Sequence, residues 1–258
     1  MKPLFVSLLF CLSVSLVAQD TCTGPPAGGT TPFPPLGCSW QTMTPLIITG
    51  GLPPGTEIFL TGRLTVNVCG SSLCSGVGPG VCEYPAGGGS GGSLCCFTGT
   101  YELFLEGSGG LAGYFRSLYI PVECLIALDP RTPGDPVQEM NGEIIQLKAA
   151  LIGDPDFTLL EIHAGSMVNL FSPGQVRLAE LPDGDFNVDS FFDITYRIDF
   201  QGAPGSPLGG FGGTTLSGVP SRHTMGYPPA TGPCCLPLPP GCFEATQVTC
   251  ATYNGRYM

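Results

Sequence analysis

Charged side chains make up only 11% of this 258-residue chain, with 9 Lys and Arg against 20 Asp and Glu. A globular domain usually carries about a quarter. The shortage falls hardest on cations: Lys2 and Lys148 are the only lysines, and the net charge is −11. A phosphate backbone would be repelled, which excludes nucleic acid as a partner. Tryptophan occurs once, at Trp40, and histidine only at His163 and His223. No C-x-x-C pair exists, so zinc-finger spacing is missing. Beyond the first eighteen residues no stretch approaches the roughly 20 apolar residues of a spanning helix, so no membrane span is expected.

Those first eighteen residues, "MKPLFVSLLFCLSVSLVA", place Lys2 before an apolar run and end on Ala18. This is the pattern of a secretory signal peptide, and it predicts a secreted, extracellular or cell-surface protein. Its removal takes away Cys11, so 13 cysteines become an even 12. In an oxidising compartment they are expected to pair as disulfides with no thiol left free. They fall in two groups, Cys22 to Cys124 and Cys234 to Cys250, each able to pair within itself.

Glycine and proline are abundant, at 39 and 27 residues. With 43% hydrophobic residues in alternating runs, they read as turns around a core. Residues 19–38 form a Pro/Gly-rich leader without expected regular structure, 39–224 the folded domain, and 225–258 a small Cys-rich tail module. In 57–68, Ile58, Leu60, Leu64, Val66 and Val68 share one face, the period of a half-buried strand. Residues 97–106, 114–128, 157–165 and 175–181 read the same way, with Pro121 pointing to an edge or a bulge. Residues 142–153 fit either element, since Met140, Ile144, Leu147 and Leu151 would also line a helix; flanking strands favour a strand. "PDGD" at 182–185 is a turn, and from Phe186 to Phe200 apolar residues alternate with Asp189, Asp193 and Asp199 on the outer face. Residues 209–219 offer a last strand. About seven or eight short strands with Gly/Pro turns predict an all-β fold, an antiparallel β-sandwich with disulfide-braced loops.

The chemistry-bearing motifs are sparse. "DGDFNVDSFFD" starts like a calcium loop, then has Val188 where glycine and Ile194 where glutamate are needed. A turn-bound calcium, the one cofactor considered, would use Asp183 and Asp185 with help from Asp154 and Asp156; solvated turn carboxylates are the plainer reading. Ser90 sits in a G-x-S-x-G match, yet in a glycine run between cysteines rather than between strand and helix. His163 shares a strand face with Glu161, either as an acid/base or ligand pair or as a hydrogen-bonded histidine. His223, in "VPSRHTMGYPP", reads as linker. No catalytic residues are assigned.

The tail "GPCCLPLPPGCFEATQVTCATYNGRYM" resembles the short Cys-rich repeats of secreted proteins of planctomycete-type bacteria, through Cys234, Cys235, Cys242, Cys250 and Ala245-Thr246. "GDPDFTLLEIHAGS" and "VDSFFDITYRIDFQGAPGSPLGG" are similar to stretches recurring in uncharacterised secreted proteins of such bacteria. The resemblance implies export and an all-β body, without an activity. Together these readings predict a non-enzymatic extracellular or cell-surface structural or adhesion protein, with cell-surface or extracellular matrix components as partners. The alternatives are a glycan-binding module using Phe191 or Trp40, and a secreted carboxylate-dependent hydrolase.

Overall fold

The computed structural model describes residues 22–70, 72, 82–85 and 91–226, and the backbone of 231–236, 241–246 and 256–257. The expected signal at 1–18, the start of the leader at 19–21 and Ser90 lie outside them. In chain order the strands of the body are β1 (Thr23–Gly24), β2 (Ser39–Thr42), β3 (Leu46–Ile48), β4 (Ile58–Cys69), β5 (Glu83–Pro85), β6 (Ser93–Gly107), β7 (Phe115–Leu128), β8 (Val137–Ile152), β9 (Phe157–Ala164), β10 (Pro173–Glu180), β11 (Phe186–Ile194), β12 (Tyr196–Gly202), β13 (Gly212–Leu216) and β14 (Ser221–Met225). The tail contributes a separate small sheet of β15 (Thr231–Leu236), β16 (Gly241–Thr246) and β17 (Arg256–Tyr257).

The all-β, antiparallel expectation holds, but the sheet closes on itself. β2, β4, β6, β7, β8, β10, β11 and β14 form an eight-stranded barrel, not a sandwich. The closing strand is β14, which pairs β11 through Phe192↔His223 and β2 through His223↔Thr42. Its inward residues are Ser221, His223 and Met225, all buried. Because only one of the three is apolar, the stretch lacks the alternation that marks a strand, which is why it reads as linker.

β8 changes partners half-way along its length, and the chain does so again between β11 and β12. β8 pairs β10 through Val137–Glu143 and β9 through Leu147–Ile152. β11 belongs to the barrel wall, whereas β12 pairs β9 and β13. At the switch, Thr195 N–H donates to Ser172 Oγ at 3.1 Å, so the backbone leaving the ladder keeps a partner. Pro121 stands where β7 stops pairing β8, one residue before Val122↔Ala149. There the missing N–H costs no ladder bond, as the edge expectation required.

The core is the inward face of these strands, with Phe97, Tyr101, Phe157 and Phe192 fully buried. Residues 22–38 hold only the two-residue β1 as regular structure, in line with the leader expectation, and they pack against the body. Phe33 enters the core edge-on to Trp40, and Cys22–Cys38 ties the segment's two ends together. The Phe33 amide donates to Glu83, which also accepts from Arg131 at 2.8 Å and from Ser93 at 2.6 Å.

Two disulfides are described, Cys22–Cys38 and Cys69–Cys82, and Cys96 is disulfide-bonded. The expectation of no free thiol fails, because Cys95 and Cys124 are free and buried. Adjacent Cys95 and Cys96 point to opposite faces of β6. Cys95 pairs with Ile126 and Cys124 with Phe97, so the two thiols are diagonal neighbours on one face. Burial raises the pKa of both.

Candidate functional site

Outward side chains of neighbouring strands fall into ranks because directly paired residues share a face. The central rank runs Asn141 on β8, Gln175 on β10, Phe191 on β11 and Thr224 on β14. One step to one side lie Glu139, Arg177 and Asp189; one step to the other, Asp193 and Arg222. Two contiguous hollows of ≈590 Å³ each open along these ranks, and they share Asp129, Asn141, Gln175 and Phe191. Phe171, 61% exposed, and Pro173 flank the first.

The groove is rigid where it is charged. Arg222 donates to both oxygens of Asp193, at 2.7 and 2.6 Å, and its guanidinium lies 4.4 Å from the centre of the Phe191 ring. The hydrogen bond to Asp193 raises the Arg222 pKa, so this cation is permanent. Arg177 stands 3.5 Å from both Glu139 and Asp189. Asp189 is buried although it faces outward. Asn141 donates to Asp129 at 2.9 Å, whereas the Gln175 amide has no hydrogen bond among the described residues. The result is a shallow polar trough with a fixed aromatic floor, able to offer amides, carboxylates and an apolar ring edge to a neutral hydroxylated ligand.

A second cluster lies on β9 and β12. Glu161 is paired with Asp199, and His163 is two residues along on the same face. Their ligand atoms lie within 4.8 Å of one another, the one such group among the described residues. Arg197 already donates to Asp199 at 2.9 Å and Thr214 at 2.5 Å, while His163 is 3.6 Å from Glu161. A divalent ion would have to displace Arg197. Neither hollow of the groove reaches these residues, and the arrangement fits an ion-pair network better than an active site.

The four aspartates considered for calcium do not meet. Asp183 and Asp185 sit in the β10–β11 turn, where the Asp185 amide donates to Asp183 at 3.2 Å. Asp154 and Asp156 follow the far end of β8 and hold Arg116 at 2.8 and 3.4 Å. The 16 residues of β8 lie between the two turns, a path on the order of 50 Å at ~3.3 Å per residue along the strand. Equal melting temperatures are therefore expected in millimolar calcium and in excess chelator. A calcium-dependent rise abolished by Asp183→Ala would show that the turn ligates.

Trp40 is withdrawn as a glycan platform: it is buried and donates to Ser190 Oγ at 2.9 Å. His223 is likewise interior, bonded to Tyr101 and Thr42. Sequence reasoning passed over the aromatics on the outer face of β6 and β7. Phe104, Phe115 and Tyr119 are exposed by 49, 69 and 65%. The available signal was parity, since Phe104 falls on the face opposite Tyr101, Leu103 and Leu105. No known family, no curated protein and no solved structure matches the chain.

Proposed function

We propose that this is an exported, non-enzymatic extracellular or cell-surface protein that adheres to glycans, held through the Phe191 groove. The observation that carries the reading is the central rank: an aromatic ring pinned by Arg222, flanked on paired strands by the Gln175 and Asn141 amides. Sugars present apolar C–H faces for a ring and hydroxyls for amides and carboxylates, which is the mixture this groove offers. Its acids argue for holding rather than cleaving. Asp189 and Asp193 are committed to arginines and Asp129 to Asn141, so these three are not poised as a general acid or base.

The test is affinity electrophoresis in gels cast with soluble neutral polysaccharides: hydroxyethylcellulose, galactomannan and starch. The chain should be retarded by at least one, and Phe191→Ala should weaken that retardation about tenfold, the loss of one central aromatic contact. Free migration in all three would refute the reading.

A further inference from the structure

The wall opposite the groove carries a second feature. In the barrel ring, β11 and β6 are diametrically placed, with three strands between them on either side. On the outer face of β6 and β7, Phe104 stands directly across from Ser117. Phe115 and Tyr119 are two residues to either side of Ser117 on the same face. The three rings therefore form a shallow zigzag, about 13 Å from end to end at ~3.3 Å per residue. All three are about half exposed or more, and exposed aromatics gathered on one face mark an interaction surface.

What lies between the rings decides the partner. Thr61 faces Phe104 from β4, and Ser117 faces it from β7. Glu102 accepts from the Tyr119 hydroxyl at 3.0 Å and from Arg63 at 3.1 Å, so its carboxylate is fixed beside the ring. Each ring is separated from the next by a hydroxyl or a carboxylate. Hydroxyls and a fixed carboxylate beside the rings supply hydrogen-bonding partners for a hydroxylated ligand laid across them. A second copy is disfavoured by charge, because each chain carries −11. Neutral, flat and hydroxylated describes the face of a polysaccharide.

We infer that the Phe104–Phe115–Tyr119 strip is a docking surface for the flat face of an insoluble polysaccharide, separate from the groove. This extends the glycan reading above without using any groove residue. Two glycan sites on opposite walls cannot both lie on one surface. The chain would therefore bridge two polymers, which is what adhesion requires.

Microcrystalline cellulose and chitin powder serve as the flat probes. Adsorption isotherms are compared for the unaltered chain, for Phe104→Ala/Tyr119→Ala and for Phe191→Ala, each checked by its melting curve. The strip variant should adsorb at least tenfold more weakly while keeping its retardation in the soluble-polymer gels, whereas Phe104→Tyr, which keeps a ring at that position, should adsorb like the unaltered chain. Phe191→Ala should do the reverse. Adsorption of the strip variant equal to that of the unaltered chain, or no adsorption of the unaltered chain to either powder, overturns the inference. In both cases gel retardation lost with Phe191→Ala would leave the groove reading standing.

Discussion

Phe192→Ala is expected to lower the unfolding free energy by about 3–5 kcal/mol, the range for deleting a buried aromatic and leaving a cavity. The high end applies here for a local reason. Phe192 is 1% exposed and meets Trp40 edge-on at 6.2 Å. The ring fills space that two glycines leave open: a Cβ built at Gly142 would sit 3.2 Å from it, and one at Gly174 closer still. Glycine has no side chain to lean into the void, so the site cannot collapse when the ring goes. Urea unfolding gives the measurement. Asp193→Asn, one residue along but outward and half exposed with its arginine, should cost no more than about 1 kcal/mol. The glycines supply an internal check. The three atoms nearest a Gly142 Cβ are side-chain atoms of Leu128 and Phe192, so Gly142→Ala should destabilise the unaltered chain and partly rescue Phe192→Ala. Additive losses from the pair would mean that the ring does not occupy that space.

The same packing shows why some elements could be read in the chain and others could not. Strand parity was legible wherever the ladder is regular, as in Phe186, Val188, Phe192 and Ile194, all buried. It failed at bulges. In β8, Ile126 pairs Ile144 while Leu125 pairs Gln146, so Ile145 is the extra residue. Inward positions change there from Met140, Gly142 and Ile144 to Leu147 and Ala149. That shift creates the three-residue step from 144 to 147 that imitates a helix. A bulge between Val66 and Val68 likewise turns Val68 outward, 55% exposed, although alternation assigned it to the core. Closure of the barrel was hidden by the polar inward face of β14, and the groove by its assembly from Asn141, Gln175, Phe191 and Thr224, which only cross-strand register brings together. The aromatic strip needed no long-range information; it was visible as rings on the polar side of two strands.

Lowering the pH from 6.5 to 4 is expected to remove about 3 kcal/mol of stability through one side chain, His223. The histidine is fully buried, and burial lowers its pKa to about 4, with the bond to the Ser221 carbonyl opposing the shift. Nδ1 lies 3.2 Å from that carbonyl and so carries the proton, leaving Nε2 to accept from the Tyr101 and Thr42 hydroxyls. Tyr101 is itself buried with its pKa raised, so the groups facing the ring are neutral, and only the Ser221 carbonyl favours an imidazolium, too weakly to offset burial. The sign follows. Above pH 6.5 the ring is neutral in both states and its contribution is whole. Between 6.5 and 4 the unfolded chain takes up a proton that the folded chain refuses, and stability falls by roughly 1.4 kcal/mol per pH unit. Below about 4 both states are protonated and the loss is complete. Other groups also titrate in acid, so the informative quantity is a difference of profiles. His223→Gln cannot titrate. It should be less stable at pH 7, where a hydrogen-bonded buried ring has been replaced, and should lose about 3 kcal/mol less than the unaltered chain between pH 6.5 and 4. Parallel profiles for the two proteins would place His223 in contact with solvent and contradict the interior position that closes the barrel.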